Sequence, residues 1–456
     1  MIDISTRVHD RDSIEFKIGY VTDKDVRQED FLLGMWIFWP GGLDITSSTF
    51  SKNAFYRYFK SNVRLITPHF PLGQIVGGDA VPLKNILSAD EGLDYRLRLF
   101  GSIVKSSLRD GCDRILSAEA DERTELCKTY ASDALAILKR YDSLEVPRQY
   151  VDEYRICGEF ICNVTAASMF RLVDNGLACP EISSVLYKVR DIREAMGYAR
   201  VKPGDAEANK EFISRQGLVK KHVEGPLFLK APKTRDGFLA EQAYYSIAAG
   251  LAMLFATVVA WAFQRQFGNL TWPLFIALII SYMLKDRIKE LTRYYFSHKV
   301  GSKYFDNKAD IRYKDTKLGE LKEGMDFVKR DKIPREVMDL RLGGSKTDIP
   351  EAGESTLLYR KKLHIDRDAL DRISIYEHEG INDIIRLHFE GFLKKADNAV
   401  SYVGYLGEDG EVIKVPCERD YCIHIVFQYD YEGSRDLKLF RVYINRDGIK
   451  EIEEVR

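Results

Sequence analysis

The sequence predicts an α+β membrane protein, in which a mixed N-terminal cytoplasmic domain and a C-terminal antiparallel β domain flank a two-helix transmembrane hairpin. Three observations support this fold class: two long uncharged runs separated by one arginine, basic residues outside both runs, and alternating strands in the last hundred residues. The whole 456-residue chain has an ordinary soluble composition, with 45% hydrophobic and 30% charged residues and a net charge of −1. That length suits two or three domains.

The residue pattern divides the chain into five consecutive regions. They are a mixed α/β cytoplasmic region (1–120), a helical cytoplasmic region with a basic juxtamembrane segment (121–240), the transmembrane hairpin (241–285), a cytoplasmic stalk helix with a connector (286–333), and an antiparallel β domain (334–456). In the first region, the apolar run Gly34–Trp39 predicts a buried strand that ends at a Pro-Gly-Gly turn.

The hairpin prediction rests on the length of the two uncharged runs. Gln242–Gln264 has 23 residues and Gln266–Leu284 has 19. As helices they reach about 34 and 28 Å, against a hydrocarbon core of about 30 Å. The connection around Arg265 is too short to hold a domain, so the two helices must be antiparallel. The alternative is a hairpin of buried helices in a large soluble core, which seldom contains two such runs in succession.

Basic residues set the orientation of the hairpin. Lys230, Lys233 and Arg235 precede the first span, whereas the connection carries Arg265 alone. The residues that follow the second span are predicted to anchor it at the inner membrane surface; they are Lys285, Arg287, Lys289 and Arg293. Basic residues concentrate on the cytoplasmic side of membrane proteins. We therefore expect a cell (inner) membrane protein with two spanning helices and both termini in the cytoplasm.

Small residues recur every four positions along the first span. They are Ala248, Ala252, Ala256 and Ala260, which share one stripe of the helix where another helix can approach closely. Two interpretations stay open. The stripe packs on the second helix of its own hairpin, or it forms a contact between subunits of a homo-oligomer. Neither span contains an acidic or basic residue, which disfavours a coupled transporter or a proton pump.

The segment from 186 to 235 carries twelve basic and six acidic residues just before the membrane. The members singled out for binding are Lys188, Arg190, Arg193, Arg200, Lys202, Lys220 and Lys221. One interpretation is a solvated surface near anionic lipid headgroups, which attract such segments at about 1 kcal/mol per basic residue. The other is a site for a nucleotide or an oligonucleotide. The sequence contains no glycine-rich phosphate loop that would define a nucleotide pocket.

The last hundred residues alternate between apolar and polar positions, as half-buried strands do. The clearest strands cover 421–430 and 437–445, and earlier ones fit 356–363, 384–392 and 400–406. A β-sandwich or a small barrel is the fold class that this pattern predicts.

A search for catalytic residues predicts no enzyme, no cofactor and no metal site. His378-Glu379 resembles the start of a zinc-protease motif, but Asn382 occupies the position of the second histidine. His388 and His424 fall in predicted strands and fit core or surface positions better than ligand positions.

In layout, the chain resembles the two-helix membrane effectors of bacterial antiviral defence, in which cytosolic domains sense a signal and the membrane helices assemble into a pore. The resemblance covers the hairpin and its flanking domains and includes no diagnostic motif. It implies a homo-oligomeric channel, gated by its cytoplasmic domains in response to an anionic ligand or a cytoplasmic protein partner, with no catalytic residues. The alternatives are a membrane-anchored scaffold and a membrane-anchored enzyme.

Overall fold

A computed structural model describes residues 1–77, 92–268, 271–295, 304–343, 353–373, 378–431 and 434–455. The strands are β1 Ile2–Asp10, β2 Ser13–Val21, β3 Gln28–Trp39, β4 Phe59–Leu65, β5 Lys233–Arg235, β6 Asn307–Tyr313, β7 Thr316–Val328, β8 Ser355–Asp366, β9 Gly380–His388, β10 Val400–Leu406, β11 Val412–Glu418, β12 Tyr421–Tyr431, β13 Ser434–Asn445 and β14 Gly448–Val455. The helices are α1 Lys52–Tyr58, α2 Leu72–Gly77, α3 Leu93–Ser117, α4 Ala120–Asp142, α5 Val151–Asp174, α6 Pro180–Met196, α7 Ala206–Glu224, α8 Phe238–Phe267, α9 Trp272–Tyr295, α10 Arg335–Leu342, α11 Arg367–Arg372 and α12 Glu390–Leu393.

These elements form two compact units. The sheet unit contains Met1–Ser61, Lys230–Ala369 and Ile384–Arg456, and therefore includes α8 and α9. The helical unit contains Asn62–Leu229 and Leu370–Asp383. The sequence divided the chain into five consecutive regions, whereas the sheet unit combines both ends of the chain with its middle. Local patterns cannot reveal such a grouping, because pairing between distant strands leaves no local signal.

The helical unit is built around stacked aromatic rings. Tyr141 lies between Phe100 and Tyr154, with ring centroids 5.9 and 4.8 Å apart and nearly parallel planes. The two tyrosine hydroxyls each donate to the backbone carbonyl of the other tyrosine, at 2.9 and 3.0 Å. Reciprocal bonds of this kind satisfy both buried hydroxyls without water. The predicted helical character of this part of the chain is confirmed in α4 to α7.

Local sequence signals mark the ends of α6 and α7. Pro180 occupies the first turn of α6, where its missing N–H costs nothing, and Gly197 ends the helix in the left-handed conformation at φ +68°. The Asp205 side chain accepts the backbone N–H of Ala208 and caps α7. These two ends fix the loop of residues 197–205 that connects the helices.

The sheet unit is organised by a large antiparallel sheet with the order β14-β13-β12-β3-β8-β7-β6-β5. Its central strand β3 comes from the N-terminal part of the chain and pairs with β12 on one side and β8 on the other. The predicted strand Gly34–Trp39 is thus confirmed as the second half of β3. The predicted connector, within 286–333, contributes β6 and β7 to this sheet.

A separate C-terminal sandwich or barrel is not confirmed. Strands β8 and β12 to β14 lie in the same sheet as β3, and β10 pairs with β11 alone. The strands near 356–363 and 421–445 do form, and pair antiparallel as predicted. The predicted strand 384–392 forms four residues earlier, as β9, because Glu390 begins the short helix α12.

Both faces of the large sheet are covered. On one face, Phe16 of β2 packs edge-on against Phe427 and Phe440, with centroids 5.0 and 5.6 Å apart. Strand β2 belongs to a second sheet with the order β1-β2-β9-β4. On the other face, α10 covers an apolar cluster with Val337. That cluster also contains Trp36, Phe38, Val426 and Leu439.

Helices α8 and α9 form an antiparallel hairpin whose outer surface is apolar and exposed. The residues that meet between the two helices are small: Ala248, Ala252, Ala277 and Ser281 are buried. The Ser281 hydroxyl donates to the carbonyl of Ala256 at 3.4 Å. The large apolar side chains point away from this contact; exposed examples are Ile247, Leu251, Leu254, Val258, Trp261, Phe275, Ile279 and Met283.

Two helical segments within the described residues are long and apolar enough to cross a membrane. The first, Arg148–Asp174, includes α5 and is 61% buried over its apolar window, whereas the second, α8, is only 11% buried. The helix that corresponds to the predicted second span begins six residues later than predicted. Helix α9 starts at Trp272, so its uncharged part to Leu284 covers about 20 Å. The first two residues of the uncharged run, Gln266 and Phe267, belong instead to the end of α8.

Candidate functional site

Both ends of the hairpin connect to one edge of the large sheet. Strand β5 directly precedes α8, and it pairs with β6, which follows α9 along the chain. The Asp236 carboxylate accepts the backbone N–H of Phe305 at 3.2 Å, and the Asp236 N–H donates to the carbonyl of Asp306 at 3.3 Å. The chain entering the hairpin is therefore hydrogen-bonded to the chain leaving it.

Gly237 marks the point where the strand becomes the helix. Its φ of +70° belongs to the left-handed region, and a Cβ there would lie 2.8 Å from the Tyr304 ring. Two contacts then hold the first turns of α8. Arg235 of β5 forms an ion pair with Glu241 at 3.0 Å, and the Tyr245 hydroxyl donates to the Glu241 carboxylate at 2.7 Å. Gly237 and the polar contacts of Glu241 thus fix the direction in which α8 leaves β5.

A buried carboxylate lies beside this connection. Glu323 of β7 is fully buried, and it accepts hydrogen bonds from Tyr359 at 2.8 Å and from Asn307 at 3.0 Å. The Lys233 ammonium lies 2.5 Å from the same carboxylate. Burial alone would raise the pKa of Glu323, but the ammonium groups of Lys361 and Lys233 outweigh it and hold that pKa below its usual value.

A second carboxylate, Asp306, connects this group to helix α1. It accepts hydrogen bonds from Lys52 at 2.6 Å, from the Tyr56 hydroxyl at 3.0 Å and from the backbone of Met325 at 2.7 Å. Burial raises the pKa of Tyr56, and the carboxylates of Asp306 and Glu323 raise it further, so the phenol stays protonated and donates. Lys361 is buried too, and donates to Ser61 at 2.7 Å.

We call Lys233, Asp306, Asn307, Glu323 and Lys361 the junction cluster. Lys233 lies on β5, just before the hairpin, and Asp306 and Asn307 lie immediately before and at the start of β6, the next described strand after it; Glu323 and Lys361 lie on β7 and β8. Removing one partner of a buried charge pair leaves the other charge uncompensated, which typically costs about 3–5 kcal/mol. The cluster therefore stabilises the pairing of β5 with β6, the strands that flank the hairpin in the sequence.

The junction cluster was not predicted from the sequence. The available signal was the alternation in 316–328, where Leu321 and Met325 are buried on the same face of β7 as Glu323. A carboxylate at a core position of a strand requires a buried cationic partner. That signal could have identified Glu323, but it could not have identified Lys233 or Lys361.

The predicted inner-membrane anchors follow Leu284 on α9. The Lys285 ammonium lies over the Tyr282 ring, 4.0 Å from its centroid. Arg293 lies over the Tyr245 ring of α8 at 5.1 Å and pairs with Glu290 at 3.4 Å. Arg287 is exposed and Lys289 is half-buried. Cation–π contacts of this kind hold basic side chains at the end of the hairpin.

The predicted anion-binding residues are dispersed in the helical unit. Lys188 pairs with Asp142 at 2.6 Å, and Arg190 pairs with its neighbour Asp191 at 3.1 Å. Arg193 is a structural residue, because its guanidinium donates to Asn163 and to the carbonyl of Ala199. The remaining four separate into Arg200 and Lys202, which line one cleft, and Lys220 and Lys221, which are exposed near the end of α7.

The cleft lies between α5, α7 and the loop 197–205, and its volume is about 780 Å³. Its basic lining residues are Arg155, Arg200, Lys202 and Arg215, and its acidic ones are Asp152 and Glu211. Two of the arginines have acidic partners: Arg200 bonds Glu194 at 2.9 Å, and Arg215 bonds the buried Glu159 at 2.7 Å. Arg155 donates to the carbonyl of Met196. Asn209 bonds both backbone groups of Lys202, which fixes the loop there.

A second basic group surrounds Lys105 of α3. Lys105 pairs with Glu224 at the end of α7. Burial lowers the pKa of Lys105, and the nearby positive charges of Lys220 and Arg64 add to this effect against the attraction of Glu224. We call Lys105, Lys220 and Arg64 the Lys105 group.

One cysteine and one histidine of β12 lie close enough to be considered as a reactive pair. The Sγ atom of Cys422 lies 3.8 Å from the Nε2 atom of His424 on β12. Burial raises the pKa of the Cys422 thiol to about 11, and burial beside Arg341 and Arg441 lowers the pKa of His424 to about 4. The pair is therefore a protonated thiol and a neutral imidazole at pH 7. The described residues contain no group of three side chains suited to a metal.

Comparisons of this chain with protein-family models, with curated proteins and with solved structures give no match.

Proposed function

We propose that this chain is a membrane-embedded effector, in which several copies assemble their hairpins into a pore that the cytoplasmic units gate. The observation that carries the proposal is the junction cluster, because it links both ends of an apolar hairpin to the folded sheet through buried charges. A passive anchor needs one flexible attachment and no buried charge. Buried charges that hold the strand before the hairpin to the strand after it instead couple displacement of the sheet to the membrane helices.

The proposed trigger is an anionic ligand, a nucleotide or an oligonucleotide, in the cleft of the helical unit. The cleft is of nucleotide size, and its basic lining residues outnumber its acidic ones. Guanidinium groups carry five donors, so arginines that already bond one carboxylate or carbonyl keep donors for a phosphate. Lipid headgroups and a cytoplasmic protein partner remain alternative ligands for the exposed residues Lys220 and Lys221.

A membrane-anchored scaffold is the second candidate. It is favoured by the burial of Ala248 and Ala252 inside the hairpin, which leaves less of the small-residue stripe for a contact between subunits. Ion flux separates the two candidates, since a scaffold conducts no ions under any condition.

The ligand proposal predicts a difference between two double variants in liposomes that contain the whole protein. Arg200→Glu with Lys202→Glu should lower the affinity for ATP or a hexathymidylate at least about tenfold, and abolish any flux that these probes induce. Lys220→Glu with Lys221→Glu makes the same charge change outside the cleft and should retain both. Loss of binding in the second variant alone would move the site to the Lys105 group, and flux without any anion would contradict anion gating.

The orientation predicts one labelling pattern. A cysteine at Gln266, in the last turn of α8, should react with a membrane-impermeant maleimide added to intact cells. A cysteine at Arg287, beyond the other end of the spans, should react only after the cells are permeabilised. The wild type, whose seven native cysteines all lie outside the hairpin, shows how much labelling comes from native thiols. Labelling of both sites only after permeabilisation would contradict a spanning hairpin.

A further inference from the structure

Strands β10 and β11 form a two-stranded ribbon that stands apart from both larger sheets. Every residue of β11 is exposed, and so is every residue of β10 except the half-buried Ser401. The exposed apolar members are Val400, Tyr402, Val403, Tyr405, Leu406, Val412, Ile413 and Val415. An isolated two-stranded ribbon is at best marginally stable in water, and clustered exposed apolar residues mark interaction sites.

The register separates the ribbon into two different faces. One face carries the cross-strand pairs Val403–Val415 and Tyr405–Ile413, followed by Ser401–Cys417 toward the base. None of these six residues is charged, and we call them the uncharged face. The opposite face carries Lys414 and Glu418 among its apolar residues. The uncharged face is therefore the one that a partner surface would cover at the lowest desolvation cost.

The tip of the ribbon is acidic. Its turn contains Glu408, Asp409 and Glu411, all exposed, and no basic residue. Anionic lipid headgroups would repel such a tip. A surface that carries exposed basic residues would attract it. The end of α9 provides such a surface, because its basic residues outnumber its acidic ones; the basic residues are Lys285, Arg287, Lys289 and Arg293, and the acidic ones are Asp286 and Glu290.

The ribbon and the hairpin leave the large sheet at the same end of its strands. The hairpin returns to the sheet at Asn307, which begins β6, and the antiparallel partner β7 ends on that side at Val328. Across the sheet, Val328 of β7 pairs with Thr356 of β8. Thr356 pairs with Phe38 of β3, and Phe38 pairs with His424 of β12, so these four residues form one cross-strand row. The ribbon joins β12 at Tyr421, beyond this row. Four strand spacings, about 19 Å, separate β12 from β6 along the sheet.

We propose that the ribbon docks on a second copy of this chain in the same bilayer, with its uncharged face packed on that copy and its acidic tip near the copy's Arg287 and Lys289. The inference rests on the proposed function for its need of several copies. The charge complementarity supports a second copy as the occupant. The distance between β12 and β6 explains why the exposed ribbon tip does not contact Arg287 and Lys289 of the same chain.

The contact is weak by itself. The uncharged face measures about 10 by 20 Å, so packing it buries about 400 Å² in total, well below the roughly 1,200 Å² of a stable interface. Copies confined to one bilayer have a high effective concentration, which makes a weak contact effective. We therefore expect the contact in liposomes and its loss on dilution in detergent.

Two tyrosines provide a matched test. Tyr405 lies on the uncharged face and Tyr402 on the opposite face, and both are exposed. With donor- and acceptor-tagged copies in one liposome, Tyr405→Asp should reduce energy transfer at least about fivefold, because the charge is buried in the contact. Tyr402→Asp should leave energy transfer within about twofold of the wild type, because that face stays in water.

The acidic tip gives a second, independent test. Glu408→Lys with Asp409→Lys should lower energy transfer, and adding Arg287→Glu with Lys289→Glu to the other copy should restore it. Wild-type energy transfer that neither Tyr405→Asp nor the tip reversal lowers would overturn the ribbon contact and leave the proposed function standing. No energy transfer in the wild type would overturn both. Contact of the ribbon with brominated lipids, with unchanged energy transfer, would assign the ribbon to the membrane and refute the inference.

Discussion

Ala252→Leu is expected to abolish ion flux from liposomes while leaving membrane insertion intact. Ala252 is 1% exposed, and the structure buries it where α8 meets α9. Three added carbon atoms have no room between helices that approach through alanine and serine, so the helices must separate. Leucine is at least as apolar as alanine, and the hairpin should still insert. Overpacking of this kind typically costs about 1–3 kcal/mol.

Ala249→Leu is the matched control, because Ala249 lies on the same helix with its side chain exposed. It should keep both flux and particle mass. A lower particle mass for Ala252→Leu in detergent would assign the stripe to the subunit contact, whereas unchanged mass with lost flux would assign it to packing within the hairpin. A wild type that is monomeric and conducts no ions under any condition would refute the pore and favour the scaffold.

Glu323→Ala is expected to lower the unfolding free energy of the sheet unit by about 3–5 kcal/mol, because Lys361 and Lys233 then lose their buried counter-charge. Glu320→Ala is the control on the same strand. Glu320 is partly exposed, pairs with Lys308 at 2.9 Å, and should cost about 0–1 kcal/mol. Denaturation in detergent, followed by the fluorescence of Trp36 and Trp39 in β3, measures both variants. Equal losses would show that Glu323 has no special role.

The same carboxylate predicts a pH dependence with a definite sign. The pKa of Glu323 is lower in the folded state than its ordinary value. Its contribution is therefore complete above the ordinary value of 4.5 and disappears as the pH falls through the folded-state value. The stability difference between wild type and Glu323→Ala should narrow below pH 4.5. A difference that stays constant down to pH 3 would contradict the buried ion pairs.

The hairpin and several strands could be predicted from the sequence because their signals are local. The uncharged run before Arg265 predicted α8, and alternation predicted β10 with its observed bounds. The grouping of strands could not be predicted, because β3 pairs with β8 and β12 over more than three hundred residues. The charge count for 186–235 could not include the acidic partners of Lys188 and Arg215, because these partners lie on other helices, outside that segment.

The large sheet also sets an order of events during synthesis. Strand β3 is complete at Trp39, but its two partners begin only at Ser355 and Tyr421. At about 5–20 residues per second, the ribosome needs roughly a quarter of a minute to a minute to deliver the first of them. Throughout that interval, the backbone N–H and C=O groups on both edges of the apolar strand β3 lack their partner strands. Unpaired edges of this kind are a hazard for aggregation. Helices α8 and α9 emerge within the same interval, so insertion of the hairpin, where it takes place as proposed, precedes closure of the large sheet by β8 and β12.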